Sequence, residues 1–140
     1  MIFVFLAIIG AAILLWSMSQ KVGNIAQYAR NAGFSGADLV TAVAIALAES
    51  GGDWTIEGDR ELAPDNGPSI GLWQINVGTK AHPEYAGANL TDPQTNANAA
   101  FTIYSRAGNS FRPWATFDPR DGSTPKYLAH LNTATREVSA

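Results

Sequence analysis

Glu49 is the first charged side chain after a ten-residue run, Leu39 to Ala48, that holds no charge and one polar residue, Thr41. Two glycines follow almost at once in Glu49-Ser50-Gly51-Gly52. A carboxyl at the C-terminal end of so apolar a helix loses hydration and meets the negative end of the helix dipole. Both effects favour the protonated acid. A carboxylic acid that keeps its proton near neutral pH is what a general acid needs to protonate a poor leaving group. The alternative is a helix-ending Glu that turns into water. The loop beyond it offers Asp53, Glu57, Asp59, Glu61 and Asp65 as further acids, but no helical spacing aims any of them at Glu49. Their simpler reading is solvated loop charge.

Two more blocks carry polar groups in a compact apolar setting. One is Ser69-Ile70-Gly71-Leu72-Trp73-Gln74-Ile75-Asn76. The other is Asn96-Ala97-Asn98-Ala99-Ala100-Phe101-Thr102-Ile103-Tyr104, with Phe111-Arg112-Pro113-Trp114 downstream. Gly71 permits a backbone approach that a side chain would block, and Gln74 supplies an amide. Trp73 is either a flat stacking surface or a core aromatic.

The elements that must position these groups are mostly helices. Ser35-Gly36-Ala37-Asp38 reads as a capping-box-like start to the apolar helix ending near Glu49. Residues 51–68 are loop-like. Ser69 to Val77 reads as a turn followed by a short helix. Asp92-Pro93 reads as N-cap and first residue of a helix that runs to about Arg106 and is closed by Gly108. Ala97, Ala100, Phe101 and Tyr104 form its apolar stripe. A last helix is expected from Thr124-Pro125 toward Ala140. No long strand and no internal repeat is evident.

Met1 to Gln20 is a different material, without side-chain charge and almost wholly apolar from Ile2 to Trp16. Twenty helical residues rise about 30 Å, the thickness of a bilayer hydrocarbon core. Trp16 suits the interface, and Lys21 is the first charge beyond it. A cleaved secretory signal would want a basic start and a small-residue cleavage site, and this segment has neither. A membrane anchor over residues 1–20 is therefore expected, with a polar helix or linker over 21–32. Lys21 and Arg30 on its C-terminal side weakly favour a cytoplasmic placement of that side, against the needs of an enzyme acting outside.

Nine basic against twelve acidic residues give a net charge of −3, with no basic cluster, which argues against nucleic acid as a partner. There is no cysteine, and His82 and His130 stand alone. No disulfide, no protein-built metal site and no cofactor is expected.

In order and spacing the three blocks resemble the lysozyme-like soluble lytic transglycosylase superfamily, especially its compact phage-associated members, over roughly Gly33 to Phe117. The resemblance implies a mainly α fold: a lysozyme-like domain (transglycosylase or goose-type lysozyme-like) over residues 33–140, preceded by one transmembrane helix. It implies Glu49 as the catalytic acid/base. It implies a substrate-binding set of Ser69, Gly71, Trp73, Gln74, Asn76, Asn98 and Tyr104, with Tyr104 close to Glu49. Peptidoglycan glycan strands would be the substrate, cut at the β-1,4 bond between N-acetylmuramic acid and N-acetylglucosamine. Two features depart from the pattern. Many members have Met where this chain has Trp73. Goose-type lysozymes often have Asp where this chain has Asn76, and an amide cannot act as a base.

The expectation from sequence is a single-carboxylate lytic transglycosylase. Protonated Glu49 would donate to the glycosidic oxygen, then take the proton of the muramoyl C6 hydroxyl as that oxygen attacks the anomeric carbon, leaving a 1,6-anhydro end. The alternatives are a hydrolytic lysozyme using a loop Asp or Glu, and a non-catalytic wall-binding or structural virion protein on the same fold. By the same analogy the protein would be a single-pass membrane protein, in a virion membrane, with its domain facing the wall.

Overall fold

The computed structural model describes residues 11–15 and 24–140. Residues 11–15 are helical and exposed. The remainder of the expected anchor, Met1 to Gln20, lies outside the described residues. Among the described residues no helix is long and apolar enough to cross a membrane.

Residues 24–32 form helix α1. Its apolar side chains Ile25, Ala26 and Ala29 recur on one face and are buried in the main hydrophobic cluster. Of the helix or linker expected over 21–32, residues 24–32 are a helix packed into the domain. Two of the three buried residues are alanines, which made the stripe too slight to stand out in a polar sequence.

Helix α2, Gly36–Ser50, runs through the centre, with Leu39 and the whole stretch Ala42 to Leu47 buried. A helix that is apolar on every side must be wrapped by the rest of the domain. Its start differs from expectation. Ser35 is the N-cap, but its side chain makes no capping bond, and the Asp38 carboxylate accepts the Tyr104 hydroxyl instead. An Asp is one methylene shorter than the Glu of a capping box and turns outward to that partner. At the other end Gly51, with φ 61°, donates its N–H to the Leu47 carbonyl at 2.9 Å and stops the helix one residue after Glu49's neighbour Ser50.

A small antiparallel sheet follows, in the order β1 (Glu57–Gly58), β2 (Ser69–Ile70), β3 (Ile75–Asn76). Ser69 lies opposite Gly58 on one side and Asn76 on the other. The segment Ser69 to Val77 is thus a hairpin rather than a turn and helix. Gly71 decides this. It sits at φ +78°, and a Cβ there would come within 2.4 Å of both the Leu90 carbonyl and the Asn96 amide nitrogen. Only glycine fits both the left-handed backbone and the close approach.

Helix α3, Pro93–Arg106, begins as expected: the Asp92 carboxylate accepts the Thr95 N–H at 2.9 Å. Ala97, Ala100 and Tyr104 are buried, with Phe101 packed at the rim. The last helix is split, with a 3-10 turn over Lys126–His130 leading into α4, Leu131–Ser139. Both pieces pack on α2. The Arg30 guanidinium donates to the Val138 carbonyl at 2.6 Å and ties α1 to α4.

Candidate active site

Glu49 occupies the last full turn of α2, half-buried. The Thr116 hydroxyl donates to its Oε1 at 2.7 Å. Burial pushes the Glu49 carboxyl above its ordinary 4.5, more than the Thr116 bond and the charge of Lys126 pull it down; Asp59 adds to the rise. The physical expectation of a desolvated acid holds. Thr116 reaches Glu49 because the segment that carries it is pinned to the hairpin. The Trp114 indole N–H donates to the Trp73 carbonyl at 2.9 Å, and the rings of Phe111 and Phe117 pack at a tilt nearby.

The small sheet carries a second acid whose charge acts on Glu49. Asp59 directly follows β1 and has a left-handed backbone, φ 56°, unusual for any residue but glycine though milder for Asp than for most. The Ser69 hydroxyl donates to its Oδ2 at 2.7 Å. Its backbone carbonyl presses so close to Gly67 that a Cβ there would lie 2.0 Å away. Three of the other four loop acids have different occupations: Asp53 accepts from Thr55 at 2.9 Å, Glu57 pairs with Arg60 at 2.7 Å, and Asp65 pairs with Lys80 at 3.1 Å.

Several expected site residues turn out to hold the site rather than face it. Trp73 is fully buried, with its indole N–H donating to the Ala42 carbonyl at 2.9 Å, so no ring face is left for a sugar. Gly71 is a close-approach position against α3. Gln74 spends its amide N–H groups on the Ile56 and Gly71 carbonyls, at 3.1 and 2.9 Å. Asn76 donates to the Asn66 carbonyl and accepts from the Gly78 N–H, both at 2.9 Å. Both Gln74 and Asn76 still line a cavity between the hairpin and Trp114.

Tyr104 and Asn98 are not at the site. Tyr104 bonds Asp38 in the first turn of α2, eleven residues before Glu49, which is about 16 Å along the helix axis. That bond to a carboxylate pushes its hydroxyl up to about 12, and its ring belongs to a cluster with Phe34, Phe101 and Phe111. Asn98 is exposed and accepts from Gln94, which also donates to the Tyr28 carbonyl, so it faces α1. Asn96, two positions earlier, is the residue of this block that matters. Fully buried, it accepts the Trp73 N–H at 2.9 Å and donates to the Ile70 and Leu90 carbonyls at 2.8 and 2.9 Å. It locks the hairpin, and with it Ser69 and Asp59, onto α3.

The family model for the lysozyme-like domain matches residues 26–116. The chain belongs to that family. The match runs from α1 to Thr116 and so takes in Glu49, the hairpin and the hydroxyl that holds Glu49. No curated protein and no solved structure matches. A lysozyme-like domain makes this an enzyme of the glycosidase and transglycosylase kind, acting on peptidoglycan. Neither Asp59 nor Thr116 was singled out by the sequence. One was hidden among five loop acids, and the other lies 67 residues from its partner.

Proposed function

We propose that the protein is a muramidase that cuts the β-1,4 bond between N-acetylmuramic acid and N-acetylglucosamine by hydrolysis, with Glu49 as general acid. The observation that carries this reading is the half-buried Glu49 carboxyl, raised in pKa and fixed by Thr116. Glu49 gives its proton to the glycosidic oxygen as the bond to the anomeric carbon breaks. Asp59, as a carboxylate, takes the proton of the water that attacks that carbon, and solvent returns both groups to their starting states. The expectation of a single-carboxylate route rested on no acid being aimed at Glu49. Asp59, gripped by Ser69 and raising the Glu49 pKa by its charge, supports two carboxylates instead. The second reading is lytic transglycosylation by Glu49 alone, favoured by the neutral Asn76 and by the resemblance in sequence.

Asp59→Asn tests the choice. Release of reducing ends from peptidoglycan should fall by at least about a hundredfold, the low end for a lost general base. Unchanged release would remove Asp59 from the chemistry. The pH profile gives an independent check. The active form carries protonated Glu49, so kcat/KM falls as pH rises through its pKa. Asp59 raises that pKa and Lys126 lowers it. The alkaline limb should therefore move to lower pH in Asp59→Asn and to higher pH in Lys126→Met.

The uncharged length of Met1 to Gln20 supports anchoring of this domain to a bilayer, and the resemblance to phage-associated members supports a virion membrane facing the host wall. Carbonate-washed membranes should retain the full chain and release one starting at Lys21. Release of both would make the segment a peripheral or packing helix.

A further inference from the structure

Thr116, which holds Glu49, also lines an open cavity of about 530 Å³ whose wall carries Arg120 and Lys126. Two neighbouring cavities, of about 300 and 470 Å³, share Arg120 and Pro113 with it. The three adjoin at Arg120 and Pro113 as a groove whose first part is lined by Thr116, the residue that holds Glu49. Other cations along the groove are already paired: Lys80 with Asp65 at 3.1 Å and Arg112 with Asp118 at 3.2 Å. Among the described residues Arg120 and Lys126 are in no salt bridge. Asp121, the one acid lining the first cavity, accepts the Ser123 N–H at 3.0 Å. The groove thus carries Arg120 outside any salt bridge, and Lys126, whose charge acts on both Asp121 and Glu49.

We propose that Arg120 and Lys126 form a subsite for a carboxylate on the muramoyl side chain of the substrate. This rests on the muramidase reading. A chain of alternating N-acetylated sugars is neutral along its backbone, and its negative charge hangs from the lactyl group, either as the free lactyl acid or as acids of an attached peptide. A guanidinium takes such a carboxylate with two parallel N–H donors, and the ammonium adds a point charge. An anion seated there also offsets the Lys126 charge that holds the Glu49 pKa down. Binding of a substrate bearing the acid would then favour the protonated form that cleavage needs.

The test is equilibrium binding to the full chain carrying Glu49→Gln, which prevents turnover. Four ligands separate the possibilities: the disaccharide with a free lactyl acid, the disaccharide-peptide, the same peptide with its carboxylates amidated, and neutral chitobiose. Adding Arg120→Gln should weaken binding of the acid-bearing ligands about tenfold. It should leave chitobiose unchanged, and the loss should shrink at high salt. Whichever acid-bearing form loses more identifies the source of the carboxylate. Equal losses for charged and neutral ligands, no loss for any, or no binding of any ligand would each overturn the subsite. Discrimination by charge without cleavage by the unsubstituted protein would leave the subsite standing and overturn the muramidase reading.

Discussion

Glu49→Gln is expected to lower lysis of peptidoglycan by at least about a hundredfold while the domain stays folded. The substitution keeps the size of the side chain and an oxygen to accept the Thr116 hydroxyl, and removes only the proton that titrates. A hundredfold is the low end of what a positioned acid contributes and corresponds to about 2.7 kcal/mol of barrier. Stability should hold or rise slightly, because an amide at this half-buried place carries no charge that must be desolvated. Dye release from labelled cell walls reads the activity and a thermal melt reads the fold. A folded variant with near-normal lysis would take Glu49 out of the mechanism.

Trp73→Ala is expected to be the most damaging of the substitutions in the hairpin, costing about 3–5 kcal/mol. The ring fills the space between α2 and the hairpin with no exposed surface, and it donates to the Ala42 carbonyl. Its backbone carbonyl receives the Trp114 indole, so a shift at 73 also loosens the segment that carries Thr116. A small domain has about 5–15 kcal/mol in total, so the variant would be close to unfolding at physiological temperature. Trp73→Phe keeps most of the apolar volume and should cost less. Urea titration separates the two. If Trp73→Ala lost under about 1 kcal/mol and instead weakened substrate binding, the ring would be a sugar platform after all.

The parts of the molecule readable from sequence are those set by local rules. The charge-free run before Glu49, the Gly51 stop and the Asp92-Pro93 cap each depend on neighbours within a turn or two, and each is found where it was expected. What was missed depends on contacts between distant segments. The hairpin at Ser69 to Asn76 looked like a turn and helix because its strands are two residues long, too short for an alternating pattern. Tyr104 shares a stripe with Phe101 whether that stripe points toward Glu49 or toward Asp38. Only the packing of α3 against the start of α2 decides, and it decides for Asp38. Asp59 is chosen from five acids by the Ser69 hydroxyl and the Gly67 backbone, neither of which a spacing rule can see.

The hydrolytic reading stands or falls on the sugar that the enzyme leaves behind. Mass spectrometry of peptidoglycan digested to completion distinguishes the routes, because a hydrolysed muramoyl end is heavier by one water than a 1,6-anhydro end. Two carboxylates at Glu49 and Asp59 predict reducing N-acetylmuramic acid ends as the main product, carrying label from heavy-oxygen water. Anhydro ends without label as the main product would contradict that pairing and leave Glu49 acting alone.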